Sequence, residues 1–276
     1  MRAGEPSRTA FGAAVHRAAH QDLDEKRIFT DPFAWQILGG DQEKLLEDAR
    51  APERFWLRTF IAVRHRFAED GFAAAVARGL DQAVVLGAGL DTLAYRNPHP
   101  DLRLFEVDFP ATGAWKAARL SESGIAVPVG VTFVGCDFEH DDFLERLVAA
   151  GLDPRRPAYF LWLGVVPYLS RDAVIGTLRR IASIPGAEVV LDYPTRLRGL
   201  SREAKAMREE LARRVAAAGE PFTGDFTVDE MAGLLRGAGF GEIEDLGGAE
   251  IAERYLGLPA TGRVGGGHVV RARVLS

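Results

Sequence analysis

An apolar run leads straight into a Gly-x-Gly turn in the stretch Val84-Val85-Leu86-Gly87-Ala88-Gly89-Leu90-Asp91-Thr92-Leu93. This order is typical of a buried strand that turns sharply beneath a nucleotide-like ligand. Glycine allows the backbone to turn and leaves room for a ligand beside it. The stretch therefore predicts a nucleotide-type site, but Gly-x-Gly alone does not identify the ligand.

The composition argues against several classes of protein. The chain has 276 residues, of which 47% are hydrophobic and 26% charged, as in ordinary globular proteins. A net charge of −5 gives no electrostatic reason to bind nucleic acid or an anionic membrane. The single cysteine, Cys136, argues against an internal disulfide and a multi-cysteine metal site. We therefore expect no metal. No signal peptide or membrane-spanning run is visible, so we expect a cytoplasmic protein.

From the glycine turn onward, short apolar runs alternate with helix-like segments. The strand candidates are residues 83–87, 102–107, 131–136, 158–165, 187–193, 241–246 and 268–274. The helix candidates are residues 53–78, 91–95, 110–122, 140–150, 171–183, 201–218 and 227–238. This alternation predicts an α/β fold in which helices cover both faces of a mostly parallel, seven-stranded sheet. The glycine-rich loop 247–267 shows no clear helix and favours an antiparallel ending.

We expect one domain, built from four consecutive parts of the chain. These are an N-terminal helical cap at 1–80, a cofactor-binding core at 81–194, a lid insertion at 195–225 and a C-terminal part of the sheet at 226–276. In the cap, Asp31-Pro32 combines a good N-cap with a proline at the first helical position, which predicts a helix start.

Acidic residues follow the glycine turn at the ends of the next two predicted strands. Asp108 comes about 20 residues after the glycines, a distance that suits a carboxylate accepting from both ribose hydroxyls. Asp137 ends the third strand, where it is suited to an exocyclic amine of a base, and Phe138 offers an apolar wall. Each aspartate is also compatible with simple capping of the following helix. The three features together favour an adenosyl-type ligand at the carboxyl edge of the sheet.

Two residues of the turn distinguish between adenosyl ligands. A dinucleotide site has a third glycine and a helix N-terminus aimed at a pyrophosphate, but here the third position is Thr92. Asp91 lies where the diphosphate would approach and would repel it. S-adenosylmethionine carries a sulfonium and an amino group, so the charge favours this methyl donor over NAD.

Several stretches, in the same order along the chain, match one known family. They are residues 7–10, 17–20, 28–32, 64–67, 85–96, 105–110 with Lys116, 136–138 and 162–169. On these matches the chain resembles the leucine carboxyl methyltransferase family, within it the bacterial S-adenosylmethionine-dependent methyltransferases. That branch includes O-methyltransferases of aromatic polyketide biosynthesis. The resemblance covers roughly residues 7–195 and implies a Rossmann-like class I methyltransferase fold.

The resemblance also implies a role for each matching site residue. The methionine moiety would lie over Gly87, Ala88 and Gly89, with Asp108 on the ribose. Asp137 and Phe138 would frame the adenine. Arg64 would pair with the methionine carboxylate, which suits the forked donors of a guanidinium, and Arg17 is a candidate to assist it. From its pattern alone, without the resemblance, Arg64 is better explained as a solvated arginine on a long helix.

The predicted reaction is transfer of a methyl group to a carboxylate or phenol oxygen of a small molecule. A carboxylate is ionised near neutral pH and needs no base, whereas a phenol would profit from one. The sequence shows no obvious base. Tyr168 is the best-placed catalytic candidate, ahead of His20 and His65, although its position favours an aromatic that packs in the core or shapes the acceptor pocket. Leu163 replaces a glutamate that is typical of family members acting on a protein C-terminus. The alternatives are an NAD-dependent oxidoreductase and an S-adenosylmethionine-binding protein without turnover.

Overall fold

The seven predicted strands form one mixed sheet in the computed structural model. The structure describes residues 7–25, 27–138, 140–195, 209–210, 212–213, 223–259 and 266–275. The strands are β1 (Gln82–Leu86), β2 (Arg103–Asp108), β3 (Val131–Gly135), β4 (Tyr159–Trp162), β5 (Glu188–Pro194), β6 (Phe240–Leu246) and β7 (Gly267–Val274). Their order is β3-β2-β1-β4-β5-β7-β6.

The sheet is parallel from β3 to β5, and β7 runs antiparallel to both β5 and β6. The antiparallel ending is therefore confirmed. Strand order reverses between β1 and β4, which are neighbours although β2 and β3 lie between them in the chain. Because ligands bind at the carboxyl ends of strands beside such a reversal, the glycine turn after β1 lies where a cofactor is expected.

Helices cover both faces of the sheet, as predicted. They are α1 (Arg8–Leu23), α2 (Ala34–Leu38), α3 (Gln42–Arg50), α4 (Phe55–Ala77), α5 (Leu93–Arg96), α6 (Pro110–Glu122), α7 (Phe143–Ala149), α8 (Arg171–Ala182), α9 (Val228–Ala238) and α10 (Gly248–Ile251). One buried cluster joins the sheet to the N-terminal helices, and a second joins the opposite face to α7, α8 and α9. None of the described helices is long and apolar enough to cross a membrane.

Two local predictions differ from the structure. Asp31 does not cap a helix that starts at Pro32, because α2 begins at Ala34. Instead, its carboxylate is buried and accepts the Phe33 backbone N–H at 3.0 Å. The loop after β6 also contains α10, where the Glu250 side chain accepts the Gly247 backbone N–H at 3.1 Å. Neighbouring glycines masked that short helix in the sequence.

The predicted lid insertion at 195–225 and its helix at 201–218 lie mostly outside the described residues. Within them, residues 209–210 and 212–213 are helical. The division of the chain into cap, core, lid and C-terminal part stays a prediction.

Candidate cofactor-binding site

The glycine turn is tied closely to β2 and to the loop after β4. The backbone N–H groups of Gly87 and Ala88 both donate to the Val107 carbonyl oxygen, at 2.8 and 3.1 Å. Gly87 and Gly89 have φ of +67° and +41°, which side chains rarely adopt. A Cβ on Gly87 would clash with Val165. Packing of the protein against itself, as well as room for a ligand, therefore requires glycine at this position.

Asp108, at the end of β2, faces the turn. Its Oδ2 accepts the Gly89 backbone N–H at 2.5 Å, and its Oδ1 accepts the Phe109 N–H at 2.7 Å. Burial raises the pKa of this carboxyl, although the two N–H groups and the nearby Lys116 charge act in the opposite direction. Since each carboxylate oxygen can accept two hydrogen bonds, Asp108 retains the capacity to accept from ribose hydroxyls.

A cavity of about 240 Å³ lies between the glycine turn, β2 and α6. Its lining includes Ala88, Gly89, Glu106, Asp108, Thr112 and Lys116. The structure therefore brings the predicted turn and the predicted ribose acid together around one space.

Two further charged residues line that cavity, and the sequence assigned no role to them. Lys116 on α6 lies 2.8 Å from Oε2 of Glu106, and the Tyr95 hydroxyl donates to the same oxygen at 2.6 Å. Burial raises the pKa of Glu106, while Lys116 and Tyr95 oppose that shift. The other oxygen, Glu106 Oε1, is buried without a hydrogen-bond partner. In the sequence, the glutamate between the apolar residues Phe105 and Val107 of a predicted strand could have indicated this buried pair.

Asp137 and Phe138 lie beyond the end of β3, outside the lining of this cavity. The Asp108 carbonyl oxygen accepts the Cys136 N–H at 2.8 Å, which keeps the two strand ends adjacent. Asp137 is 36% exposed and its Oδ2 lies 3.0 Å from Nδ1 of His140. It does not cap α7, whose N-cap is Asp142. The adenine roles of Asp137 and Phe138 stay predictions.

Arg64 is buried rather than solvated, in contrast to the simplest expectation for a long helix. Its Nη1 donates to Asp192 Oδ2 on β5 at 3.0 Å, and Asp192 Oδ1 accepts the Gly164 N–H at 2.5 Å. Its Nε is buried without a hydrogen-bond partner, and Arg64 is not among the residues that line the cavity beside the glycine turn. Asp192 thus brings a carboxylate to Gly164 although Leu163 lacks one. Asp192 has no local signal in the sequence, because its pairing with Arg64 joins α4 to β5.

The residues after the glycines are held by a buried charge network. Asp91 Oδ1 accepts the N–H of Leu93, the first residue of α5, at 2.7 Å, where a pyrophosphate would approach. Thr92 donates to Asp31 Oδ2 at 2.7 Å. Arg17 contacts that same oxygen at 2.9 Å and donates to the Leu90 carbonyl at 2.6 Å. Arg17 therefore supports the turn in this structure.

The two histidine candidates are unsuited to act as the catalytic base. Both ring nitrogens of His20 are engaged, with Asp24 Oδ2 at 2.8 Å and the Ile28 N–H at 3.0 Å. His65 is buried, and burial together with three nearby arginines lowers its pKa well below the usual value. Its Nδ1 lies 3.5 Å from Asp91 Oδ2. His20 thus joins α1 to the backbone at Ile28, and His65 contacts the glycine turn at Asp91.

Tyr168 lies half-buried in the 3₁₀ turn Val166–Tyr168 that follows β4. A second titratable cluster lies at the same edge of the sheet, where Asp245 accepts from the Tyr193 hydroxyl at 2.5 Å and contacts Nδ1 of His268 at 2.8 Å. No local motif announces this cluster, because it depends on the pairing of β5, β6 and β7. Among the described residues, no group of three or more potential ligands could hold a metal ion.

These surroundings fit S-adenosylmethionine. The cavity beside the glycine turn offers Asp108 to hydroxyl groups, and the unpaired Nε of Arg64 is a buried donor that suits a carboxylate. Asp91 occupies the position where a diphosphate would need a free helix N-terminus. The bound methyl donor supplies an electrophilic methyl carbon, and the protein orients the acceptor toward it.

Comparisons with known proteins indicate the same methyl donor. The sequence model of leucine carboxyl methyltransferase matches residues 10–182, more than half of the chain. A protein from Saccharopolyspora erythraea, named as an S-adenosyl-L-methionine-dependent methyltransferase, is 33% identical over 67% of this chain and 66% of its own. A relative from Bacillus subtilis with the same type of name is 28% identical over 93% of both chains. A relative from Frankia alni is matched over 65% of its length. The chain thus spans slightly under two thirds of the Saccharopolyspora and Frankia relatives.

The fold has clear counterparts among solved structures. A methyltransferase structure from Thermobifida fusca superimposes with a TM-score of 0.64 and 17% identity, covering 99% of this chain and 96% of its own. A protein of the DUF574 family from Streptomyces avermitilis gives a TM-score of 0.57 over 93% of this chain and 99% of its own. At such identities these structures show the fold alone.

The fold and the matches together define an S-adenosylmethionine-dependent methyltransferase of the Rossmann-like type. The predicted class and methyl donor are confirmed, and the NAD-dependent oxidoreductase alternative is wrong. Within this class, the chain belongs to the leucine carboxyl methyltransferase family. The individual cofactor contacts of Arg64, Gly87, Ala88, Gly89 and the three residues at the strand ends stay predictions.

Proposed function

We propose that the protein methylates a carboxylate or phenol oxygen of a small molecule, such as a polyketide-type metabolite. The observation that carries this proposal is a parallel bridge between Thr195 and Phe226 at the carboxyl end of β5. The Phe226 N–H also donates to the Pro194 carbonyl at 3.2 Å. Thr195 and Phe226 therefore lie side by side at the carboxyl edge of the sheet.

The chain just before Phe226 lies against the turn that carries Tyr168. The Thr223 N–H donates to the Pro167 carbonyl at 2.9 Å, and the Thr223 hydroxyl donates to the Leu169 carbonyl at 2.8 Å. The lid insertion predicted at 195–225 would begin and end beside this turn, and we propose that it covers a small acceptor. Leu163 in place of the typical glutamate also supports the small-molecule branch, and the family name supports an oxygen acceptor.

The proposed chemistry is an in-line displacement at the methyl carbon. The protein contributes by holding the acceptor oxygen in line with the bond that breaks. A carboxylate acceptor reacts without a base, whereas a phenol must lose its proton during the reaction. Tyr168 is proposed to contact the acceptor, because its turn follows β4 at the carboxyl edge and lies against Thr223.

Transfer of a tritiated methyl group from S-adenosylmethionine tests the proposal. The acceptors would be a set of small phenols, a set of small aromatic carboxylic acids, and peptides that end in a free leucine carboxylate. Methyl esters are released by mild alkali whereas methyl ethers resist it, so alkali treatment of the product identifies the acceptor oxygen. We expect label in one of the two small-molecule sets.

Asp108→Asn serves as the control that removes the ribose carboxylate, and Tyr168→Phe tests the contact to the acceptor. For a phenol acceptor, we expect Tyr168→Phe to lower kcat/KM by about 10-fold without changing the affinity for S-adenosylhomocysteine. Label found only in peptides would contradict a small-molecule acceptor. Binding of S-adenosylhomocysteine without any turnover, on these acceptors or on an extract of bacterial metabolites, would favour a binding protein instead.

A further inference from the structure

Lys116 is almost completely buried, with only 1% of its surface exposed. A lysine is rarely buried to this extent unless its charge is paired. Here it lies on α6 beside the cofactor cavity, 2.8 Å from Oε2 of Glu106. Burial of two charges is generally no more stabilising than a well-packed apolar pair. The pair therefore calls for an explanation other than stability.

The pair contacts both parts of the site that are assigned to the cofactor. Lys116 Nζ donates to the Ala88 carbonyl oxygen at 3.4 Å, in the middle of the glycine turn. Glu106 and Asp108 are two residues apart on β2, so their side chains project from the same face. The next N–H of the turn, that of Gly89, donates to Asp108. The Glu106–Lys116 pair is thus bonded to the glycine turn and lies next to Asp108, the predicted partner of the ribose.

The charges around Asp108 come from three elements. Lys116 and the Thr112 hydroxyl come from α6, and Glu106 comes from β2, two residues before Asp108. The N–H groups of Gly89 and Phe109 donate to the Asp108 carboxylate. The Lys116 charge favours the ionised form of Asp108, in opposition to burial. Glu106 partly neutralises that lysine. Asp91, in the turn, adds a further negative charge that acts on Glu106.

We propose that Lys116 is a positioning residue for the methyl donor. Paired with Oε2 of Glu106, it holds the Ala88 carbonyl oxygen and so keeps the glycine turn in place beside Asp108. This inference rests on the proposed contact between Asp108 and the cofactor. It gives the Glu106–Lys116 pair a role in cofactor affinity that a purely structural ion pair would not have.

The pair can be tested by calorimetric binding of S-adenosylhomocysteine as a function of pH. Lys116→Met is expected to weaken binding about 10-fold near neutral pH, since a charge-assisted contact is lost. This variant should also lose affinity at a higher pH than wild type when the solution is made acidic. Glu106→Gln should move the acid loss to lower pH, because the lysine is then no longer neutralised. Lys44→Met, at an exposed lysine on α3, is the matched control.

The double variant Lys116→Met with Glu106→Gln keeps the result interpretable if Lys116→Met alone fails to fold. Removing both charges leaves no unpaired buried ion, so this variant should fold while binding more weakly than wild type. Wild-type affinity and an unchanged pH profile in the double variant would overturn the inference. If these variants behave as wild type but Asp108→Asn loses binding, only the role of Lys116 fails. If Asp108→Asn itself binds normally, the ribose assignment fails as well.

Discussion

The ends of β2 and β3 carry the same sequence pattern, an aspartate followed by a phenylalanine, in different surroundings. Asp108 accepts two backbone N–H groups and lines a cavity with Lys116. Asp137 lies outside that cavity, 36% exposed, and pairs with His140, which is 80% exposed. The two acids are adjacent at the sheet edge, but only one is held by the glycine turn.

The difference follows from the positions of the two strands. β2 has a strand on either side and four consecutive buried residues, whereas β3 lies at the edge of the sheet and has a single buried residue. Both acids are half-buried, but Asp137 lies on the edge strand, so we expect water to compete more for Asp137 than for Asp108. A hydrogen bond to a ligand is stronger where water is excluded, so we expect unequal contributions from the two acids.

The largest effect is expected for Asp108→Asn, which should weaken S-adenosylhomocysteine binding about 100-fold, from the loss of charge-assisted bonds to two hydroxyls. The variant should also unfold at a slightly lower temperature, because each Asp108 oxygen accepts a backbone N–H and an amide offers only one acceptor oxygen. Calorimetry and thermal unfolding measure the two quantities. Asp101→Asn, at an exposed position, is the control. If Asp108→Asn binds as tightly as Asp101→Asn, then Asp108 contributes nothing to affinity and the end of β2 does not differ from that of β3.

A smaller effect, about 10-fold, is expected for Arg64→Lys, because an ammonium cannot reproduce the forked donors of a guanidinium. Arg64 is buried, like most of β2, but it lies on α4 and not at a strand end. The loss should appear with S-adenosylhomocysteine but not with 5′-methylthioadenosine, which lacks the amino-acid carboxylate. Arg66→Lys, at an exposed arginine of the same helix, should bind both ligands normally. Equal weakening of both ligands would instead indicate a structural role for Arg64.

Asp137→Asn should weaken S-adenosylhomocysteine binding only about 3-fold, as expected for one bond to an adenine amine at an exposed site. His140→Ala removes the partner of Asp137 and should leave the affinity within twofold of wild type. Titration calorimetry with both variants checks these values. A loss for Asp137→Asn as large as that for Asp108→Asn would show that exposure at the strand end is a poor guide to its contribution.

The smallest effect is a pH dependence, about twofold between pH 7 and pH 5. The pKa of Asp108 is raised, so its carboxylate takes up a proton at higher pH than an ordinary aspartate, and affinity should fall as the pH decreases through that value. Asp137→Asn should keep this acid loss, and Asp108→Asn should lack it. Persistence of the profile in Asp108→Asn would assign it to another group.

Local pattern was sufficient for most of the sheet and for the glycine turn. Alternating apolar and helical segments placed all seven strands within a few residues of their observed bounds, because burial on both faces of a strand leaves a continuous apolar run. The short helix α10 was missed because glycines interrupt its pattern. Capping by Glu250 through the Gly247 N–H, rather than helical periodicity, defines where it begins.

Partners that come from distant parts of the chain could not be predicted in the same way. The sequence alone determined the α/β class, the Gly87–Gly89 turn and the acids at the strand ends, since each depends on residues next to one another. Only the tertiary structure decided that Arg64 meets Asp192, that Lys116 is buried on Glu106, and that His268 joins Asp245. These pairs join different helices and strands, and the energy of a buried charge depends on the groups that packing brings beside it.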